Sequence, residues 1–110
     1  MAKIADVTYT GESGTNYTFA VYAWGTDFKA LGAVYLITKR TLKDDGSGAH
    51  TLIYIGQTGD LSERFDDHHK ASCFARNKAN CICIHLESSE DERLAIEGDL
   101  IRRNNAPCNG

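Results

Sequence analysis

The chain has little of the features that mark several specialised protein classes. Its 110 residues include a single proline, and no apolar run approaches the roughly 18 residues of a membrane span. The segment 1–20 contains acidic residues and no apolar core, which argues against a signal peptide. Apolar content of 42% and charged content of 25% are ordinary, which excludes intrinsic disorder, collagen and low-complexity sequence. We therefore expect one soluble domain, residues 1–110, in the cytoplasm.

Cysteine is present at only four positions, Cys73, Cys81, Cys83 and Cys108. An even count is compatible with disulfides, but the secretory context that favours them is missing. One residue separates Cys81 from Cys83, whereas zinc-binding pairs usually have roughly two to four between them. Free thiols are the favoured interpretation, and zinc or a disulfide are the alternatives.

Five segments rich in β-branched and aromatic residues predict strands. The first two form a hairpin around a turn at 11–14, and a loop at 43–48 separates the third from the fourth. The predicted strands are 7–10, 17–24, 32–38, 51–55 and 81–86.

Two helices are predicted from their capping and apolar patterns. Asp60 with Glu63 has capping-box spacing, and Leu61, Phe65 and His68 then recur at helical intervals. Ser89 with Glu92 begins the second helix, which ends at 104–105 before Pro107. The order β-β-β-β-α-β-α indicates an α+β domain with a mainly antiparallel sheet.

Glu97 interrupts the apolar pattern of the second helix. Leu94, Leu100 and Ile101 lie one helical turn from it, so its carboxylate falls within the predicted buried stripe. A buried carboxylate needs a metal, a cation or neutralisation. The alternative is a glutamate at the edge of the stripe that reaches solvent.

Arg64 precedes His68 by four residues, so both would share one face of the first predicted helix. A guanidinium beside the core suits a phosphate, and an ordinary surface arginine is the alternative. The pair His68–His69 is a weak metal site, because adjacent helical side chains diverge.

Residues 68–86 contain no acid. They carry Lys70, Arg76 and Lys78, which predicts a basic face for a polyanion on a chain of net charge −3. Chance clustering on a solvated loop is the alternative.

The segment 32–109 resembles the GIY-YIG nuclease family. Tyr54-Ile55-Gly56 is a literal match to the second motif, and Gln57, Thr58, Leu61, Arg64 and His68 follow in register. Glu97 and Pro107-Cys108-Asn109 complete the pattern, whereas Ala33-Val34-Tyr35 departs from the first motif, with its glycine displaced to Gly32. The resemblance implies a central three-stranded antiparallel sheet flanked by helices, with residues 1–31 as an additional hairpin.

The same resemblance implies a metal-dependent endonuclease that hydrolyses nucleic-acid phosphodiesters, DNA rather than RNA. Tyr35, with Tyr54 beside it, would position or deprotonate the attacking water, and His68 would assist the proton transfer. Arg64 would hold the phosphate, Glu97 would bind Mg²⁺ or Mn²⁺, and Asn109 would orient the site.

A second hypothesis is a non-catalytic module that binds nucleic acid or a protein. The complete set of motif residues favours the enzyme. The net charge of −3 predicts weak or partnered binding, which leaves open a homodimer or a separate specificity partner, and no membrane is expected. A zinc-stabilised structural domain fails on cysteine spacing.

Overall fold

Five antiparallel strands form one continuous sheet in the computed structural model, which describes residues 3–63 and 65–109 without the side chain of Asp66. The strands are β1 (Ala5–Thr10), β2 (Asn16–Ala23), β3 (Ala33–Leu42), β4 (Gly48–Thr58) and β5 (Cys81–Leu86). The helices are α1 (Ala71–Arg76) and α2 (Glu90–Arg103), and two 3₁₀ turns span Phe65–Asp67 and Pro107–Asn109. The element order agrees with the sequence-based prediction.

The strand order is β1-β2-β5-β3-β4, so the expectation of a three-stranded sheet with a separate hairpin is wrong. β2 pairs with β5 from Ala20 opposite Ile84 to Ala23 opposite Cys81. Without this pairing, β5 would be an apolar edge strand with unpaired backbone groups. The hairpin covers that edge and becomes part of the sheet.

The two faces of the sheet bury separate apolar cores. One core includes Phe19, Leu36 and Ile55, and α2 covers it with Ile96 and Leu100. The opposite core is built around Tyr35, Ile37 and Ile82, and it is covered by Leu61 and by Phe74 of α1. The predicted catalytic tyrosine therefore belongs to the face that α1 covers.

The second predicted helix is correct in its start but not in its buried face. Ser89 is the N-cap, and its side chain accepts a hydrogen bond from the Glu92 backbone amide. Leu94 and Ile101 are 46% and 40% exposed, so they do not belong to the buried stripe. The buried face instead includes two charged side chains, Arg93 and Asp99, together with apolar residues. Of the described segments, none forms a helix with the length and hydropathy to cross a membrane.

A continuous helix from Asp60 does not form. The Asp60 side chain accepts hydrogen bonds from the backbone amide and hydroxyl of Ser62, which gives a local turn. The Leu61 amide donates to the Leu31 carbonyl at 2.9 Å, so it does not take part in a helical hydrogen bond. These bonds compete with the helical ladder, and only a 3₁₀ turn and the six-residue α1 follow.

Cys73 and Cys108 form a disulfide that links α1 to the second 3₁₀ turn, with their Cα atoms 6.0 Å apart. The favoured prediction of free thiols is therefore wrong for these two residues. It holds for Cys81 and Cys83, which are free and buried in β5. Burial raises the pKa of the Cys83 thiol to about 12, so it remains protonated at neutral pH.

Asp99 fastens the β1–β2 hairpin to α2. Its carboxylate accepts hydrogen bonds from the backbone amide and hydroxyl of Ser13 at 2.8 and 2.7 Å, and from the Tyr17 hydroxyl at 2.7 Å. A Cβ atom at Gly11 would overlap this carboxylate, so glycine is required there. The bonds from Ser13, and then that from Tyr17, lower the pKa of Asp99.

Asp99→Asn should lower the Tm at pH 7, by roughly 5–10 °C, because an amide replaces the charged acceptor of three hydrogen bonds. A carboxyl whose folded pKa is lowered stabilises the fold above its unfolded pKa of about 3.9. The difference from wild type should therefore shrink as pH falls through the folded pKa. Thermal unfolding between pH 2.5 and 7 measures this, with the exposed Asp91→Asn as control. A difference independent of pH would contradict the assignment.

Candidate active site

Tyr35 and Tyr54 lie side by side on β3 and β4 because of the strand register. Tyr35 pairs with Gly56, and Tyr54 pairs with Ile37, two residues along β3. The two phenol rings are 6.1 Å apart and inclined by 35°. A Cβ atom at Gly56 would lie 2.6 Å from the Tyr35 hydroxyl and 2.7 Å from the Tyr54 ring. The glycine of the Tyr-Ile-Gly motif therefore makes room for both rings.

His68 is hydrogen-bonded to Tyr35, with its Nε2 atom 2.7 Å from the phenolic oxygen. Its Nδ1 atom accepts the backbone amide of Lys70 at 3.0 Å. Because an amide can only donate, Nδ1 carries no proton, and in the neutral ring Nε2 carries it. Burial, and then the charges of His69 and Lys70, lower the pKa of His68. At neutral pH His68 is thus a neutral donor to Tyr35.

The rings of His68 and His69 are stacked, 4.3 Å apart and inclined by 24°. The prediction that these side chains diverge assumed a helix, and the segment is a turn instead. The described residues contain no cluster of three or more histidine, cysteine, aspartate or glutamate side chains suited to a metal. The histidine pair therefore remains a weak candidate for a metal site.

Glu97 is half-buried at the edge of the α2 face that covers the sheet, rather than in the middle of an apolar stripe. Burial raises the pKa of its carboxyl. Its charge also contributes to the raised pKa values of Tyr35 and Tyr54, for which burial is the larger cause. The charge of Glu97 thus affects both phenols, although α2 covers the opposite face of the sheet.

Asn109 makes two hydrogen bonds to the backbone of Ile55, accepting from its amide and donating to its carbonyl, each at 2.8 Å. Ile55 lies between Tyr54 and Gly56 on the edge strand β4. The amide side chain therefore pairs with this edge as another strand would. Asn109 fixes the Tyr-Ile-Gly segment from outside the cleft, and its neighbour Cys108 is held by the disulfide.

Tyr35 and His68 border an open cleft of about 510 Å³, here termed the tyrosine cleft, whereas Tyr54, Glu97 and Asn109 do not line it. Tyr35, His68 and His69 form one part of its wall, and Phe65 forms another. Polar and acidic groups complete it: Gln57, Thr58, Asp60, Glu63 and Asp67. The tyrosine–histidine pair can assist a proton transfer, and the acidic rim can attract a cation.

A comparison with known protein families shows to which family the chain belongs. The family model for the GIY-YIG catalytic domain matches residues 31–109. The chain belongs to the GIY-YIG family. Comparisons with curated proteins and with solved structures gave no significant match. GIY-YIG domains are nuclease domains that act on nucleic acid, so the family supports nuclease activity as the general kind.

The structure brings together four of the nine site residues that the sequence predicted for this GIY-YIG domain. Tyr35, Tyr54 and His68 are in mutual contact, and Lys70 adjoins His68. Arg76 ends α1 and Lys78 follows it with a φ angle of 59°, and neither borders the tyrosine cleft. Arg64 lies outside the described residues.

Arg93 is a buried residue that sequence analysis missed. Its Nε atom donates to Gln57 at 3.0 Å, and another nitrogen donates to the carbonyls of Glu87 and Ser88. A Cβ atom at Gly32 would lie 2.5 Å from this guanidinium, which explains why glycine precedes Ala33 in the altered first motif. Arg93 thereby joins the end of β4 to the β5–α2 connection. Its only sequence signal was its position one turn before Glu97.

Proposed function

We propose that the protein is a metal-dependent endonuclease that hydrolyses phosphodiester bonds of nucleic acid, with DNA as the expected substrate. The hydrogen bond between Tyr35 and His68, beside the charge of Glu97, carries this proposal. Burial raises the pKa of the Glu97 carboxyl, and the charge of Glu97 adds to the effect of burial on the pKa of both phenols; perturbed pKa values of this kind cluster at functional sites.

Tyr35 is the proposed acceptor of the proton from the attacking water. The protonated Nε2 atom of His68 donates to the Tyr35 oxygen, so it stabilises that oxygen as a phenolate. The opposite transfer, from Tyr35 to His68, would need a bare Nε2 atom, which the Lys70 amide disfavours by occupying Nδ1. His68 therefore assists by donating a hydrogen bond rather than by accepting the proton from Tyr35.

Glu97 is the proposed metal ligand, and its surroundings fit a divalent cation. Mg²⁺ in enzymes is commonly held by one or two carboxylates, with water and substrate phosphate completing its shell. The half-buried carboxylate of Glu97 would be the one protein ligand, since the described residues contain no cluster of three or more metal-binding side chains. Bound Mg²⁺ or Mn²⁺ would supply positive charge to the phosphate and to the phenols. That charge would offset the effect of burial on the pKa of Tyr35.

Other residues keep the roles that the resemblance or the charge pattern of the sequence predicts for them. Arg64 is proposed to hold the scissile phosphate, since a guanidinium can bind two of its oxygens. Lys70, Arg76 and Lys78 are proposed to contact the nucleic-acid backbone. Asn109 is a positioning residue, because its side chain bonds the backbone between Tyr54 and Gly56.

The direct test is cleavage of labelled single- and double-stranded DNA and RNA in Mg²⁺, Mn²⁺ or chelator, with Glu97→Ala as the inactive control. We expect metal-dependent cleavage with DNA preferred. Binding by the wild type with no cleavage of any substrate would contradict the proposal and favour a non-catalytic module.

The role of His68 gives a second prediction. His68→Gln retains a side-chain donor and should keep far more activity than His68→Leu, which we expect to lose on the order of 10²–10³ in rate. Single-turnover rates measure the difference, and His85→Gln, which lies beside Phe19 on the opposite face of the sheet, should stay near wild type. Equal rates for the glutamine and leucine variants would contradict the donor role.

A further inference from the structure

A second cleft, of about 450 Å³, lies beside the tyrosine cleft and is here termed the aromatic pocket. Trp24, Phe28 and Phe65 line it, together with the acidic residues Asp27 and Glu63. Glu63 and Phe65 also line the tyrosine cleft, so the two cavities share a wall. A molecule bound at the tyrosine cleft could therefore extend into the aromatic pocket.

Phe65 forms the centre of the shared wall. Its ring is 5.0 Å from Tyr35 toward the tyrosine cleft. Toward the aromatic pocket, it is 6.4 Å from Trp24 and 6.2 Å from Phe28, with ring planes inclined by 58° and 79°. All three pocket aromatics are only partly buried. The pocket thus offers aromatic surfaces in several orientations. Only the Phe65 ring lies between these surfaces and the proposed catalytic tyrosine.

The strand β2 and the turn after it hold Trp24 in place. The Trp24 amide donates to the Asn80 carbonyl at 2.9 Å. The Thr26 hydroxyl donates to the Ala23 carbonyl at 2.7 Å, which closes a turn over Trp24 and Gly25. Gly25 has a φ angle of 89°, which a side chain would disfavour. Trp24 and Phe28 both precede residue 31, where the family match begins, so this chain adds them to the shared domain.

The chemistry of the pocket selects a nucleobase over a phosphate. Aromatic rings stack on any base, and carboxylates accept hydrogen bonds from the amino groups of bases. Asp27, which lines the aromatic pocket but not the tyrosine cleft, repels a phosphate group there. A base inside a duplex is already stacked and paired, so only an unpaired base can enter at low cost.

We propose that the aromatic pocket binds one unpaired nucleobase next to the scissile phosphate. The protein would then prefer substrates with a bulged, mismatched or single-stranded nucleotide at the cleavage position. This inference rests on the proposed nuclease function, because the neighbouring phosphodiester must lie in the tyrosine cleft. It assigns to Trp24 and Phe28, which lie outside the family match, a part in selecting the substrate structure.

Trp24 is the only tryptophan in the chain, so its fluorescence reports directly on this pocket. The wild-type protein, in chelator to prevent cleavage, is titrated with three DNA duplexes of equal length: fully paired, with a one-nucleotide bulge, and with an abasic nucleotide as the bulge. We expect saturable quenching by the bulged duplex alone. Its affinity should exceed that of the abasic duplex by roughly 5- to 100-fold, the typical value of one stacked base. Equal quenching by all three would overturn the proposal.

Variants and cleavage rates test base binding in the pocket and the nuclease activity separately. Phe28→Leu should remove the preference for the bulged over the abasic duplex, while Tyr9→Leu, on the opposite core of the sheet, should retain it. If the protein cleaves paired and bulged duplexes at equal, metal-dependent rates and neither quenches Trp24, base binding in the pocket is overturned and the nuclease function stands. Quenching specific to the unpaired base, with no cleavage of any duplex, would support the pocket and overturn the nuclease.

Discussion

Glu97→Gln should reduce cleavage by on the order of 10³-fold or more, because the amide is a far weaker ligand for a divalent cation. Its stability at pH 7–8 should equal or slightly exceed that of wild type. Burial raises the pKa of Glu97, so at pH 7–8, where the carboxyl is ionised, its charge destabilises the folded state relative to the unfolded state, and removal of the charge relieves this cost. Single-turnover rates and thermal unfolding measure the two effects.

Glu90→Gln is the matched control for this variant. Glu90 begins the same helix and is exposed, so its replacement should change neither rate nor Tm appreciably. Loss of the folded circular dichroism spectrum in Glu97→Gln would show that Glu97 is structural. Full activity in a folded Glu97→Gln protein would contradict its role as metal ligand.

Tyr35→Phe should lower the single-turnover rate by on the order of 10²–10⁴, the usual contribution of a proton acceptor. The ring keeps its edge contact with Phe65 and its position over Gly56, so the variant should fold. Tyr54→Phe is the control, because Tyr54 shares the site but has no hydrogen bond to His68 among the described contacts. A larger loss of rate for Tyr54→Phe than for Tyr35→Phe would show that Tyr54, not Tyr35, accepts the proton.

The pH dependence follows from the same residue. Burial, then the charges of Tyr54 and Glu97, raise the pKa of Tyr35, so the phenol is mostly protonated at neutral pH. If the phenolate accepts the proton, the rate at saturating metal should rise by about tenfold per pH unit through the neutral range. Tyr35→Phe should lose this dependence. A flat profile in the wild type would contradict Tyr35 as the acceptor.

The strands could be predicted because β-branched and aromatic residues are concentrated in them. The alternating and apolar runs placed all five strands, and the acidic segment at 43–47 marked the β3–β4 turn. The joining of the hairpin to β5 could not be predicted, because strand neighbours depend on which edge is left open in three dimensions. A three-stranded sheet was therefore expected where a five-stranded one forms.

The first helix shows why a periodic pattern can mislead. Leu61, Phe65 and His68 have helical spacing, yet each is bound elsewhere. The Leu61 amide donates to the Leu31 carbonyl, and Phe65 begins a 3₁₀ turn. His68 accepts the Lys70 amide at Nδ1. Local side-chain and backbone bonds thus outweigh helix propensity. His68 still reaches Tyr35, so the motif located the residue although the predicted helix was wrong.

Buried polar groups and the disulfide were invisible in the sequence for a related reason. Arg93 and Asp99 form part of the buried face of α2, each satisfied by partners distant in sequence. Cys73 and Cys108 are 35 residues apart and meet because the chain after α2 folds back onto α1. Only the tertiary fold brings such partners together.

The candidate site was largely predictable because its residues form a motif. Tyr35, Tyr54 and His68 meet in contact, and Asn109 holds the strand between them. The role of Arg64 stays a prediction. The aromatic pocket was not predicted, because its rings come from two segments that are far apart in the sequence.

The most direct test of the central claim is the single-turnover rate on one labelled DNA oligonucleotide, in Mg²⁺ and then in excess chelator, for wild type and Tyr35→Phe in parallel. The account predicts cleavage by the wild type in Mg²⁺, none in chelator, and a residual rate in Tyr35→Phe that lacks the rise with pH. Equal cleavage with and without metal, or equal rates for the two proteins, would contradict it.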